Sequence, residues 1–169
     1  SFSLVFGAAE GIAAPSLRWN GPANGVWDAT TPNWLDAGNN DVAWIPGAEA
    51  IFEGAGGLIE IAADVSAVNL TFTGNGYTLL GAGRLCVEGT ITTAAATTNC
   101  IAADLRTVNG LTKDGAGALA LARCAGPVSV QSGSLLAAGS LFTDAEIAVA
   151  AGASLVTLGE PDSGANLIA

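Results

Sequence analysis

The chain has 169 residues, of which 15 are acidic, 5 basic and none histidine, for a formal net charge of −10. That balance repels a phosphate backbone, which excludes nucleic acid as a partner, and without histidine no Ser–His or Cys–His nucleophile can be built. Charged residues make up only 12% while glycine numbers 23, so the outside must be covered by Thr, Ser and Asn, a covering suited to a thin, elongated apolar stack.

The first stretch, residues 1–17, is an apolar leader. It carries Glu10 and no basic region, so it fits neither a signal peptide nor a membrane span of about 20 apolar residues. Phe2, Leu4, Val5 and Phe6 are too apolar to lie in water. They are candidates for a subunit interface by strand addition, or for packing on the chain's own first coil. Residues 18–57 hold all four tryptophans, Trp19, Trp27, Trp34 and Trp44. Trp is costly to expose, so a cap buried over the first coil is preferred to a sugar-stacking platform. DAGNND (36–41) offers oxygen ligands without the spacing of a calcium loop, and reads as a polar turn.

From Leu58 to residue 169 short runs such as LIEIAA, AVNLTFTG, TITTAAA, ALALARCA and PVSVQSG alternate with Gly or Asn corners. These are strands of roughly four to eight residues, with no helical period. VNLTFTGNGYTLLGAG (68–83) lies over NGLTKDGAGALALARC (109–124), bringing Leu70 onto Leu111, Gly74 onto Gly115 and Leu80 onto Leu121. The offset of 41 reads as two coils of about 20 residues each, stacked units that cannot bury an apolar face alone. The whole is one all-β structural domain: leader, cap (18–57) and coils (58–169).

Little in the chain suggests chemistry. Cys86, Cys100 and Cys124 lack CxxC or CxxH spacing, so no metal site is expected. Either two of them bridge neighbouring coils, or all are small buried hydrophobes. Asp36/Asp41 and Asp104/Asp114 could work as carboxylate pairs only if the fold aimed them into one groove. No enzyme activity and no cofactor are expected.

GLTKDGAGALALARCAGPVSVQSGSLLAAG (110–139) resembles the passenger-associated repeat of autotransporter proteins, through Gly110, Leu111, Thr112, Lys113, Gly115, Gly117, Leu119, Leu121, Val128, Val130, Gly133 and Leu135. Residues 19–57 are similar to the Trp-rich lead-in that precedes such repeats. The resemblance implies a right-handed parallel β-helix, extracellular or displayed on a bacterial surface, with a structural or adhesive role. The last residues show no alternating strands of a membrane barrel. The function expected is therefore a secreted structural subunit whose β-helical rods assemble end to end, with itself as partner and without membrane insertion. The alternative is a monomeric adhesin fragment that binds surface glycans.

Overall fold

The structure, a computed structural model, describes residues 13–138, 146–158 and 166–168. Phe2, Leu4, Val5 and Phe6 lie outside them. The described residues are all β, without helix, and wind as a parallel β-solenoid.

The first coil carries β1 (Ser16–Trp19) and β2 (Asn24–Trp27). An excursion with β3 (Trp34–Leu35) and β4 (Asp41–Val42) follows, before β5 (Ala48–Phe52) and β6 (Leu58–Ile61) resume the winding. The middle coils contain β7 (Val65–Phe72), β8 (Thr78–Leu80), β9 (Arg84–Val87), β10 (Thr90–Thr93), β11 (Thr98–Ile101), β12 (Asp104–Thr107), β13 (Leu111–Asp114) and β14 (Ala118–Leu121). The last contain β15 (Cys124–Ala125), β16 (Val128–Val130), β17 (Ser134–Ala138), β18 (Glu146–Val149), β19 (Ser154–Leu158) and β20 (Asn166–Ile168). The solenoid thus begins at Ser16, well before the change of texture at Leu58, because only residues 28–47 of the Trp-rich region are an insertion, while Trp19 and Trp27 belong to the strands of the first coil.

Three faces result. β1, β5, the second half of β7, β10, β13, β16, β18 and β20 stack in parallel as the first. β2, β6, β8, β11, β14, β17 and β19 form the second. A shorter third face holds the start of β7, β9, β12 and β15. Alternation sends every second residue inward, and equal register stacks like positions. Leu17, Ala50, Leu70, Ile91, Lys113 and Val130 make one inward column, and Phe52, Phe72 and Thr93 make the next. On the second face Ile59, Leu79, Ile101 and Leu121 do the same. All eight aliphatic residues of these columns from Leu17 to Leu121, together with Phe52 and Phe72, are buried; each leucine, isoleucine and phenylalanine contributes about 1.5–3 kcal/mol by leaving water, and Ala50 less.

The coil length of about 20 is confirmed, with 20 residues from Ala50 to Leu70 and 21 to Ile91. The residue-by-residue repeat is corrected. Leu70 stacks through Ile91 onto Lys113, two places beyond Leu111. Leu79, not Leu80, shares the inward column of Leu121, and Leu80 faces outward. The corner between β7 and β8 has five residues and that between β13 and β14 has three, so the sequence match slides where the corner shortens.

Corners demand unusual backbone. Gly115 has φ 80°, and a Cβ there would strike the Thr93 carbonyl of the preceding coil. Ala96, at a corner one coil earlier, adopts φ 60° without being glycine, a conformation that costs an L-residue about 1 kcal/mol. Ala96→Gly is therefore expected to raise stability by roughly 0.5 kcal/mol after the greater unfolded-state entropy of glycine is subtracted, read as a higher denaturant midpoint.

Candidate functional site

The excursion 28–47 builds the most elaborate feature of the molecule. β3 runs antiparallel to β1 and β4 antiparallel to β3, so the outer edge of the first face is covered by strands that cannot continue the parallel winding. On the second face the Asn33 amide donates to the Val26 carbonyl at 2.9 Å. Asn33 itself is fixed by Asn20 N–H donating to its carbonyl at 2.8 Å. Under this lid Trp27 lies 5.0 Å from Trp34 and 4.8 Å from Trp44, with Trp34 and Trp44 4.6 Å apart, in edge and tilted arrangements. Phe52 connects the cluster to the shaft, 5.6 Å from Trp34 and stacked on Phe72 at 4.8 Å.

Trp27, Trp34 and Trp44 are buried, and Trp19 is half-buried against Gly21 and Gly25. The expected cap is present, and its buried rings offer no face on which a sugar could stack. Trp44 donates its indole N–H to the Ser66 carbonyl at 3.1 Å, whereas those of Trp27 and Trp34 have no hydrogen-bond partner among the described residues. The lid therefore holds by apolar area and ring packing.

Its rim is fastened by three carboxylates. Asp28 accepts from Thr30 N–H at 2.8 Å and Thr31 N–H at 2.6 Å, and from both threonine hydroxyls. These bonds hold its carboxyl below the usual range. Asp36 accepts from Gly38 N–H and Asn40 N–H, which lowers its pKa as well. Asp41 accepts from the Asn20 amide at 2.9 Å. Within DAGNND the Asp36 oxygens are thus spent on the turn itself, while Asn39 and Asp41 accept from Arg18 and Asn20 outside it. Among the described residues no group of three or more His, Cys, Asp or Glu is gathered to hold a metal.

Lys113 is the residue that sequence reasoning placed in a motif without a role. It points inward and is fully buried. Its stem continues an aliphatic column, and its Nζ donates to the carbonyls of Asp114 (3.0 Å), Gly115 (2.7 Å) and Ser132 (3.0 Å). The first two belong to its own corner and the third to the corner of the next coil, so one ammonium ties two corners together. Burial lowers its pKa and the neighbouring Asp114 acts in the opposite direction. Its place two residues after the inward Leu111 in an alternating strand could have signalled an inward side chain. Buried Asn99 does related work, accepting from Tyr77 N–H at 2.9 Å and donating to the Gly74 carbonyl at 3.1 Å.

The other candidates do not converge. Asp104 pairs with Arg106 at 3.0 Å on the third face, while Asp114 accepts from Ser132 at a corner of the first. The three cysteines are free. Cys124 points into the shaft beside Leu105, and burial pushes its thiol up to about 11. Cys86 and Cys100 point outward from different faces, so no two of the three face one another and no bridge links them. A shallow groove of about 170 Å³ over the first face is lined by Asn109, Thr112, Pro127, Ser129 and Glu146. Glu146 is its one carboxylate, which leaves no acid–base pair there.

Two outcomes test these assignments. Lys113→Met keeps the stem but strands three partly buried carbonyls, and should cost about 2–3 kcal/mol in denaturant unfolding. The depressed pKa of Asp28 means that its contribution is complete above the ordinary 3.8 and is lost as pH falls through the lower folded value. Tryptophan fluorescence should therefore report loosening of the cap as pH falls below the ordinary 3.8, with a smaller acid-dependent change in Asp28→Ala.

No protein-family profile matches the chain, and no solved structure matches it. Among curated proteins it is similar to the adhesin BmaC autotransporter of Brucella suis biovar 1 (strain 1330), 31% identical over 174 aligned positions that cover 92% of this chain. The chain spans about 5% of that protein's length. Over nearly all of its length, then, this chain is a homologue of one stretch of an autotransporter adhesin, and its β-solenoid is consistent with an autotransporter passenger-like repeat.

Proposed function

We propose that this chain is a secreted or surface-displayed bacterial β-solenoid segment with an adhesive, non-catalytic role, binding glycans or another component of a host surface and requiring no cofactor. The observation that carries this reading is the similarity to a protein named as an adhesin across 92% of the chain. The distribution of polar groups supports it. The described carboxylates with lowered pKa values are each occupied in turns or corners, and the shallow groove over the first face has Glu146 as its one carboxylate.

The test is retention of the purified chain on a panel of immobilised glycans and on fixed host cells, with glycan masses measured before and after. Retention with every mass unchanged is expected. Shortened glycans would overturn the non-catalytic part, and no retention on any surface would overturn the adhesive part.

End-to-end assembly into a filament or surface layer is the second reading. It is favoured by β19 and β20, which have no neighbour on their far edges among the described residues. At the other end β1 is covered by β3, whereas β2 is met by the Asn33 side chain and has no strand beyond it among the described residues. A filament would dock on that edge, on the outside of the cap, or through residues 1–14. Open-ended mass in light scattering, abolished by deleting residues 1–14, is what that reading requires.

A further inference from the structure

Four asparagines precede a glycine: Asn20, Asn24, Asn75 and Asn109. In such a pair the glycine has no side chain to shield its nitrogen, which attacks the preceding carboxamide unless the fold prevents it. Three of the pairs are held. The Asn75 carboxamide accepts from Thr98 N–H at 2.7 Å and Gly76 N–H donates to the Thr98 carbonyl at 3.0 Å, so both reacting groups are engaged. Gly25 is buried within β2, and the Val26 carbonyl faces away from β6 to accept from Asn33, so the N–H of Gly25 faces into the parallel ladder with β6. The Asn20 carboxamide donates to Asp41 at 2.9 Å and Asn20 N–H to the Asn33 carbonyl at 2.8 Å, which fixes this residue against the cap.

Asn109 and Gly110 are placed differently. They lie at the corner between β12 and β13, where Val108 and Asn109 are exposed. Among the described residues Val108, Asn109 and Gly110 make no hydrogen bond. The adjoining corners of the stack lie at Gly89 and Pro127, and their carbonyls accept from Thr112 and Leu111 rather than from this pair. Gly110 has φ 91°, in the left-handed region that favours glycine. The corner itself thus calls for the residue that makes Asn109 reactive.

We propose that Asn109 is a site of spontaneous modification, losing its side-chain amide through attack by its own main chain. The Gly110 nitrogen gives up its proton to hydroxide and bonds to Asn109 Cγ. The Cγ–Nδ2 bond breaks, and ammonia leaves after taking a proton from water. A further water opens the cyclic imide at either carbonyl, leaving aspartate, or isoaspartate with the main chain routed through the side-chain carbon. The step needs neither oxidant nor enzyme. Asn109 lines the shallow groove over the first face, where Glu146 is the one carboxylate. The reaction therefore gives that groove a second negative charge, and an aged chain differs there from a new one. The proposal uses no part of the adhesive reading.

The experiment is incubation of the intact chain in warm, mildly alkaline buffer, with samples taken for proteolysis, fragment mass spectrometry that localises each change to one residue, and enzymatic methylation of isoaspartate. Asn109 should convert from amide to acid at least about tenfold faster than Asn20, Asn24 or Asn75, because each of those must first give up hydrogen bonds. In concentrated urea the four should convert at similar rates, since only the fold separates them. Asn109→Gln, whose longer side chain has to close a larger ring, should remove the fast conversion while circular dichroism shows the same β structure. Conversion of any other pair as fast as Asn109 in the folded chain, no conversion at Asn109, or the same preference retained in urea would each overturn the proposal.

Discussion

The parallel ladder between one coil and the next is the constraint on which everything else rests. Because Leu70 must lie over Ala50 and under Ile91 for the backbones to bond, no side chain's position is chosen independently of its neighbours one coil away. The core is a set of columns, and its thickness is two facing side chains. This is how half the chain can be hydrophobic and only 12% charged while remaining well ordered: the backbone hydrogen bonds run along the stack and the surface needs few long polar groups. It also explains why the buried polar residues sit at corners. A tight corner turns carbonyls away from the ladder, and Lys113 and Asn99 meet the need from inside.

The same ladder creates a difficulty at its ends, where bonding groups lie in rows with nothing to pair with. At the first coil the difficulty is solved in three different ways within one insertion. Strands of the opposite direction take up the edge of β1, the Asn33 side chain takes a carbonyl of β2, and tryptophans fill the end of the shaft. The two indole N–H groups left without hydrogen-bond partners among the described residues show that area was favoured over polar satisfaction at this position, since a buried indole removes more apolar surface than any other side chain could.

Much of this was legible in the residues. Short alternating runs with glycine corners define the solenoid and its period, and the cluster of Trp19, Trp27, Trp34 and Trp44 marks the cap. The sequence could not set the phase between coils. Leu111 looks like the equivalent of Leu70 because both are leucines before a threonine, yet Lys113 holds the place in the column. An aliphatic stem is as good a filler as leucine, and only the arrangement of three carbonyls shows why the charge is tolerated. Likewise the Asn-Gly pairs are identical as letters, and only the hydrogen bonds around them tell Asn109 from Asn75.

The coil period carries a mechanical meaning. The strand contacts join residues about 20 apart and few contacts bypass the neighbouring coil, so a pull on the two termini loads one rung at a time. Each rung adds about 4.8 Å to the folded stack but would release on the order of 65 Å of extended chain. A segment built this way yields in steps and dissipates energy at each one, and the ammonium of Lys113, tied to two successive corners, marks the rung where the tether should resist most.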